Sequence, residues 1–137
     1  MPSNTAPIFS KIARAAWVNG LTAANIAKDG TGTVDTVFSA DATNGSYIQK
    51  LIIRPRGTNV ASVIRVFLNN GLTNVTAANN CMIGEVGLPA TTLSEVAALA
   101  GLELPLNIPV PPGYKINVTL GTAVAGGYAV TAMGGDY

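Results

Sequence analysis

Residues 46–68, SYIQKLIIRPRGTNVASVIRVFL, carry the reading that decides the fold. Tyr47, Gln49, Leu51 and Ile53 fall on one side of an extended chain, and Val60, Ser62, Ile64, Val66 and Leu68 fall on one side of another. Successive side chains of a strand point to opposite faces, so this period of two predicts two strands with a buried side each. The other sides, Ile48, Lys50, Ile52 and Arg54, then Ala61, Val63, Arg65 and Phe67, mix apolar with basic groups. An outer face that keeps Ile, Val and Phe predicts a cover, which in so short a chain points to another subunit.

Similar short segments recur outward from this stretch about every ten residues: 15–21, 33–40, 81–86, 103–108, 114–120 and 128–133. That spacing predicts an all-β protein, an antiparallel two-sheet jelly-roll sandwich of about eight strands. Asp29-Gly30, Asn44-Gly45, Asn70-Gly71, Pro112-Gly113 and Gly126-Gly127 are turn pairs at which the chain can reverse. Pro105, Pro109, Pro111 and Pro112 exclude a central strand, so 103–108 is an edge or a crossover. Only the run from Leu93, LSEVAALAGLE, has helical composition. Trp17, Val60, Ile64 and Val66 are expected in the core. Residues 1–12, with Pro2 and Pro7, read as an N-terminal arm, either a short helix capped at Thr5 or an extended chain; residues 13–137 read as one jelly-roll domain.

The 137 residues include no His and one Cys, and 11% are charged. Groups that titrate or attack near neutral pH are therefore scarce, and the chain reads as a non-enzymatic building block. A net charge of +1 leaves no electrostatic footprint for nucleic acid. No segment approaches a membrane span, and the N-terminus lacks a signal-peptide pattern, which predicts synthesis in a cytosol. Cys81, in CMIGEV, is expected to be a buried, inert thiol. Asp29, Asp35 and Asp41, six residues apart, miss the calcium-loop pattern, and GTG at 30–32 lacks the closing Lys of a phosphate loop; no metal or cofactor is expected. Glu85, Glu95 and Glu103 are scattered and read as surface carboxylates. Lys50, Arg54, Arg56 and Arg65 are half of the basic residues; pairing of the two strands in 46–68 would gather them into one patch for an acidic protein surface, the alternative being solvated charges that keep a β edge from aggregating.

The stretch 23–71, AANIAKDGTGTVDTVFSADATNGSYIQKLIIRPRGTNVASVIRVFLNNG, and the ending 109–137, PVPPGYKINVTLGTAVAGGYAVTAMGGDY, resemble small proteins encoded among the virion genes of tailed bacteriophages. The likeness centres on DGTGTV at 29–34, NGS at 44–46, RVFLNNG at 65–71 and the terminal GGDY. It looks like that of the jelly-roll capsid cement or decoration proteins. The resemblance implies a structural virion protein, made in the host bacterial cytoplasm, that sits on the outer surface of the head. Its partners would be the major capsid protein and further copies of itself, as a homodimer or homotrimer. It implies no catalytic residue. Taken with the pattern above, it directs attention to Ile8, Phe9, Ile12, Arg54, Arg56, Arg65 and Phe67 as a capsid or subunit interface. A tail-fibre, spike or glycan-binding module is the alternative.

Overall fold

A computed structural model describes residues 10–137. Eight strands make up almost all of the regular structure: β1 (Ile12–Leu21), β2 (Asp35–Ser39), β3 (Ser46–Pro55), β4 (Ser62–Asn69), β5 (Asn80–Leu88), β6 (Leu102–Val110), β7 (Lys115–Leu120) and β8 (Tyr128–Asp136). One 3-10 turn, Ala77–Asn79, is the only helical element among the described residues. The helical composition after Leu93 therefore comes to nothing. So short a run is marginal as a helix without a face to bury, and Leu93 and Val96 are exposed.

Four antiparallel pairs, β1 with β8, β2 with β7, β3 with β6 and β4 with β5, make one long doubled ribbon. Two further pairs, β3 with β8 and β4 with β7, join the ribbon to itself. The sheets that result have the orders β1-β8-β3-β6 (sheet A) and β2-β7-β4-β5 (sheet B). A ribbon wound so that its rungs alternate between two facing sheets is the jelly roll. Only β4 and β5 are consecutive in the chain and adjacent in a sheet; every other connection crosses the sandwich. The proline-bearing β6 is an edge strand, as its missing N–H donors require.

The inner faces meet in one core that includes Ile48, Leu51, Ile53, Val130 and Ala132 from sheet A and Ile64, Val66, Ile116, Val118 and Leu120 from sheet B, all fully buried. The β3 face differs from strict alternation. Ile48 and Leu51 both point inward because Gln49 is an extra residue in the pairing with β8, where Ile48 meets Gly134 and Lys50 meets Met133. A bulge of this kind swaps faces partway along a strand, so Tyr47 and Gln49 join the outer side.

Three burial expectations are corrected. Trp17 is 64% exposed, because β1 turns Arg14, Ala16 and Val18 inward and Trp17 outward. Val60 precedes β4 and is 56% exposed. Cys81 is an exposed thiol on β5, an edge strand.

Polar ties close both ends of the sandwich. At one end the Arg14 guanidinium donates to both Asp136 carboxylate oxygens (3.0 and 3.1 Å) and to the Ser39 carbonyl across the sandwich (3.2 Å). The Ser46 hydroxyl donates to the same carboxylate and accepts from the Asp41 N–H at 2.9 Å. The terminal GGDY is thus a structural tie. At the other end the buried Asn59 amide donates to the Gly127 carbonyl (3.2 Å) and accepts from its N–H (2.8 Å). Each satisfies groups that would otherwise be buried without partners.

Candidate interaction surface

The two outer faces of the sandwich differ. On sheet B, β4 and β7 place Phe67 opposite Asn117 and Arg65 opposite Thr119, all on the side away from Val66 and Val118. Phe67, Asn117 and Thr119 are nevertheless at most 3% exposed. The cover is the chain itself. Residues 22–34 leave sheet A, bond through the Asn25 N–H to the Leu120 carbonyl (2.7 Å), and reach the far end of the sheet, where Asn74 donates to the Gly30 and Gly32 carbonyls (3.1 and 2.7 Å). Leu120 pairs with Ile64 and Asn80 with Asn69, so the two anchor points lie at opposite ends of β4.

Asparagine amides hold this strap because a side-chain amide offers the same donor and acceptor as a peptide. Asn25 donates to the Thr31 and Thr33 carbonyls, and Asn80 donates to the Asn74 carbonyl and accepts from Asn69. Gly30 (φ 79°) is required twice, since a Cβ there would also lie 2.6 Å from that of Asn80. The DGTGTV motif is thereby explained as a fastening.

Sheet A has no such strap among the described residues. Its outer face is made of three cross-strand rows: Trp17, Thr131, Ile52 and Glu103; Ala15, Met133, Lys50 and Pro105; Ala13, Gly135, Tyr47 and Pro109. Lys50 and Glu103 pair at 3.2 Å, so their charges largely cancel. Arg54, opposite Ala129, continues the face past Ile52, and its guanidinium donates to the Leu99 carbonyl (3.3 Å). Arg56 lies just beyond and donates to the Asn19 carbonyl of β1. The result is a flat, weakly charged, partly apolar surface with one indole and two arginines at one end.

Of the residues singled out from sequence, this face unites Arg54 and Arg56; Ile12, 60% exposed at the start of β1, pairs with Asp136 and falls on the same side of the strand as Arg14, not on this face. Ile8 and Phe9 lie outside the described residues. Arg65 and Phe67 do not belong to it. β3 and β4 do not pair, so the single basic patch expected from 46–68 does not form. Arg65 is on the outer side of sheet B, ion-paired with Glu85 at 2.9 Å, and Phe67 is fully buried on that same side, which the strap crosses. The cover inferred for that side is real, but it is intramolecular. Trp17 is what sequence reasoning missed. β1 alternates small residues on both sides, so the strand itself does not announce which side is inside.

The acidic residues weighed as a cation site act separately. Asp29 accepts from the Thr31 N–H and hydroxyl (3.1 and 2.6 Å), and Asp41 from the N–H groups of Thr43 and Asn44 (3.0 and 2.7 Å). These are Asx turns. Among the described residues no three acidic, histidine or cysteine side chains are grouped to hold a metal ion. The Thr31 bonds hold the Asp29 carboxyl below its ordinary value of 3.8; the N–H bonds from Asn44 and Thr43, then the nearby Arg14 charge, do the same for Asp41. A carboxyl depressed in the folded state stabilises it above the unfolded value and loses that contribution as pH falls through the folded one. The melting temperature is therefore expected to hold from neutral pH to about pH 5 and to drop below about pH 4. A melting temperature that climbs on acidification would contradict this.

A cavity of about 240 Å³ sits between the 89–100 loop and the sandwich, with Ile53, Leu88, Leu99 and Leu102 among its walls. Its polar groups are Thr91, Thr92 and Tyr128, and no carboxylate, amine or thiol lines it. Burial raises the Tyr128 hydroxyl above its ordinary 10.0, opposed by a hydrogen bond from Asn59, so it is a neutral phenol. No helix among the described residues is long and apolar enough to cross a membrane. No protein-family model, curated protein or solved structure matches the chain.

Proposed function

We propose that this chain is a structural virion protein, a capsid cement or decoration protein that binds the outside of a phage head and stabilises contacts between major capsid subunits. The observation that carries the reading is the asymmetry of the sandwich among the described residues: one outer face is crossed by the strap, and the other is a sheet bearing Trp17, Ile52, Met133 and Tyr47 that no described segment covers. A flat face of that kind suits packing against another protein surface. The resemblance of DGTGTV, RVFLNNG and GGDY to virion proteins supplies the partner class. Cement action is adhesive. Each copy adds contacts between neighbouring capsid subunits, and many modest contacts on a lattice act together.

Arg54 and Arg56 flank this face, where an acidic capsid surface would meet them. Reversing both, Arg54→Glu with Arg56→Glu, is expected to weaken binding to purified expanded heads roughly tenfold at low salt, because two exposed attractions become repulsions. Binding should also become less salt-sensitive. Sedimentation of heads with bound protein over a salt series measures both. Equal binding by the double variant would remove these residues from the interface. Protein recovered only with tails would favour the fibre or spike reading.

A further inference from the structure

We propose that the space between the strap and the outer side of sheet B is a binding site for one ordered water molecule, which bridges Thr119 and Arg65 and fastens the root of the strap. Among the described residues, Arg65 Nη1 and Thr119 Oγ1 are the two buried side-chain polar atoms with no hydrogen-bond partner. They are also neighbours. Arg65 and Thr119 lie directly opposite each other on β4 and β7, on the side that the strap crosses, and side chains paired in this way have Cβ atoms about 5 Å apart. The guanidinium extends over β7 as well, since an ideal Cβ on Gly121 would lie 3.3 Å from Nη1. Thr119 is 1% exposed and the Arg65 side chain 12% exposed, so bulk water does not serve these two atoms.

Room and chemistry both point to water. A cavity of about 30 Å³ adjoins Thr119, with Ala23, Thr33 and Val34 of the strap among its walls. A water needs about 10–15 Å³ of such space and at least two polar partners. The neighbouring protein groups are already engaged. Glu85 accepts from Arg65 Nε at 2.9 Å, the Asn25 N–H donates to the Leu120 carbonyl, and the Asn25 amide donates to the Thr31 and Thr33 carbonyls. Water is both acceptor and donor, so its oxygen takes the Nη1 proton while one of its own hydrogens goes to Thr119 Oγ1. An anion fits less well, because Glu85 already balances the Arg65 charge. The strap is then held by water at its root, beside the Asn25 bond to Leu120, as it is held by the Asn74 amide at its tip.

Two measurements on the full chain test this. Thr119→Val keeps the shape of the side chain, removes the hydroxyl and suits a strand at least as well. If water bridges the hydroxyl, this variant should melt several degrees lower, and amide hydrogens of residues 22–34 should exchange several-fold faster than in the unmodified protein. Thr119→Ser, which keeps the hydroxyl, should return the strap's exchange rates toward those of the unmodified protein. A Thr119→Val protein that melts at the same or a higher temperature, with the strap still protected, would overturn the proposal, because removing a truly unpartnered hydroxyl relieves a cost. A crystal structure of the unmodified chain, grown with sodium bromide at a resolution that shows ordered water, locates the group directly and does not depend on any variant folding. The expected result is a peak within hydrogen-bond distance of both Thr119 Oγ1 and Arg65 Nη1 with no anomalous bromide signal. A bromide signal there would overturn the proposal by assigning the site to an anion. Either atom bonded to a protein group in place of the water would overturn it too.

Discussion

Replacing Gly134 with alanine is expected to be among the most damaging single changes in the protein. An added Cβ would run into the Tyr47 carbonyl oxygen and lie 3.0 Å from the Ile48 Cα, both backbone atoms of the neighbouring central strand. No rotamer change relieves a clash between backbones, so β3 and β8 must separate where they pair. The cause is the bulge at Gln49, which brings the β3 backbone over β8 as it turns Ile48 inward. Next to this point Arg14, Asp136 and Ser46 tie β1, β8 and β3 together, so parting the strands also loosens that network. Overpacking in a rigid setting costs about 1–3 kcal/mol and more where relief is backbone movement, and the coupled loss places this substitution at about 4 kcal/mol or above. Thermal melting should show a fall of about 10 °C or more, or no soluble folded protein. An unchanged melting temperature would mean that the bulge is misplaced.

Phe67→Ala is expected to cost about 3–5 kcal/mol, the range for removing a fully buried phenylalanine. Its buried position outside the inter-sheet core makes the test specific. The ring lies on the outer side of sheet B, so what it loses is the strap and not the opposite sheet. Hydrogen exchange should therefore quicken first in residues 22–34 and only later in the core strands. If the strap stayed protected while the whole domain melted early, the ring would belong to the main core and the two-layer description of sheet B would be wrong. A fully tolerated substitution would contradict the burial itself.

How far such features were legible in the sequence differs by element. Strand number and class followed from period-two alternation and turn chemistry. The second residue of each of the five turn pairs, Gly30, Gly45, Gly71, Gly113 and Gly127, adopts positive φ, between 77° and 88°. Proline content left 103–108 as an edge or a crossover, and β6 is the edge. What alternation does not encode is which strands pair, so β3 and β4, adjacent in the chain with matching patterns, were read as a patch-forming pair although the ribbon sends them to opposite sheets. Single-residue bulges were equally invisible, and one at Gln49 exchanged the faces of Tyr47 and Ile48. The apolar outer side of β4 was correctly read as covered, but the strap that covers it is polar and glycine-rich, with nothing in its composition to mark a structural role. Trp17 was assigned inward because burial is the usual fate of a large aromatic; here the small inward residues of β1 accommodate the Arg14 tie and leave the indole outside.

Electron microscopy of the particles in which the proposal places this chain is the most direct test of the central claim, that the sandwich binds a phage head through the outer side of sheet A. The predicted result is density for the jelly roll on the outside of the head shell, repeated on the capsid lattice, with the side bearing Trp17, Arg54 and Arg56 against the major capsid protein and the strap facing outward. Density on the tail, or on the head with the strap side down and Trp17 facing solvent, would contradict it.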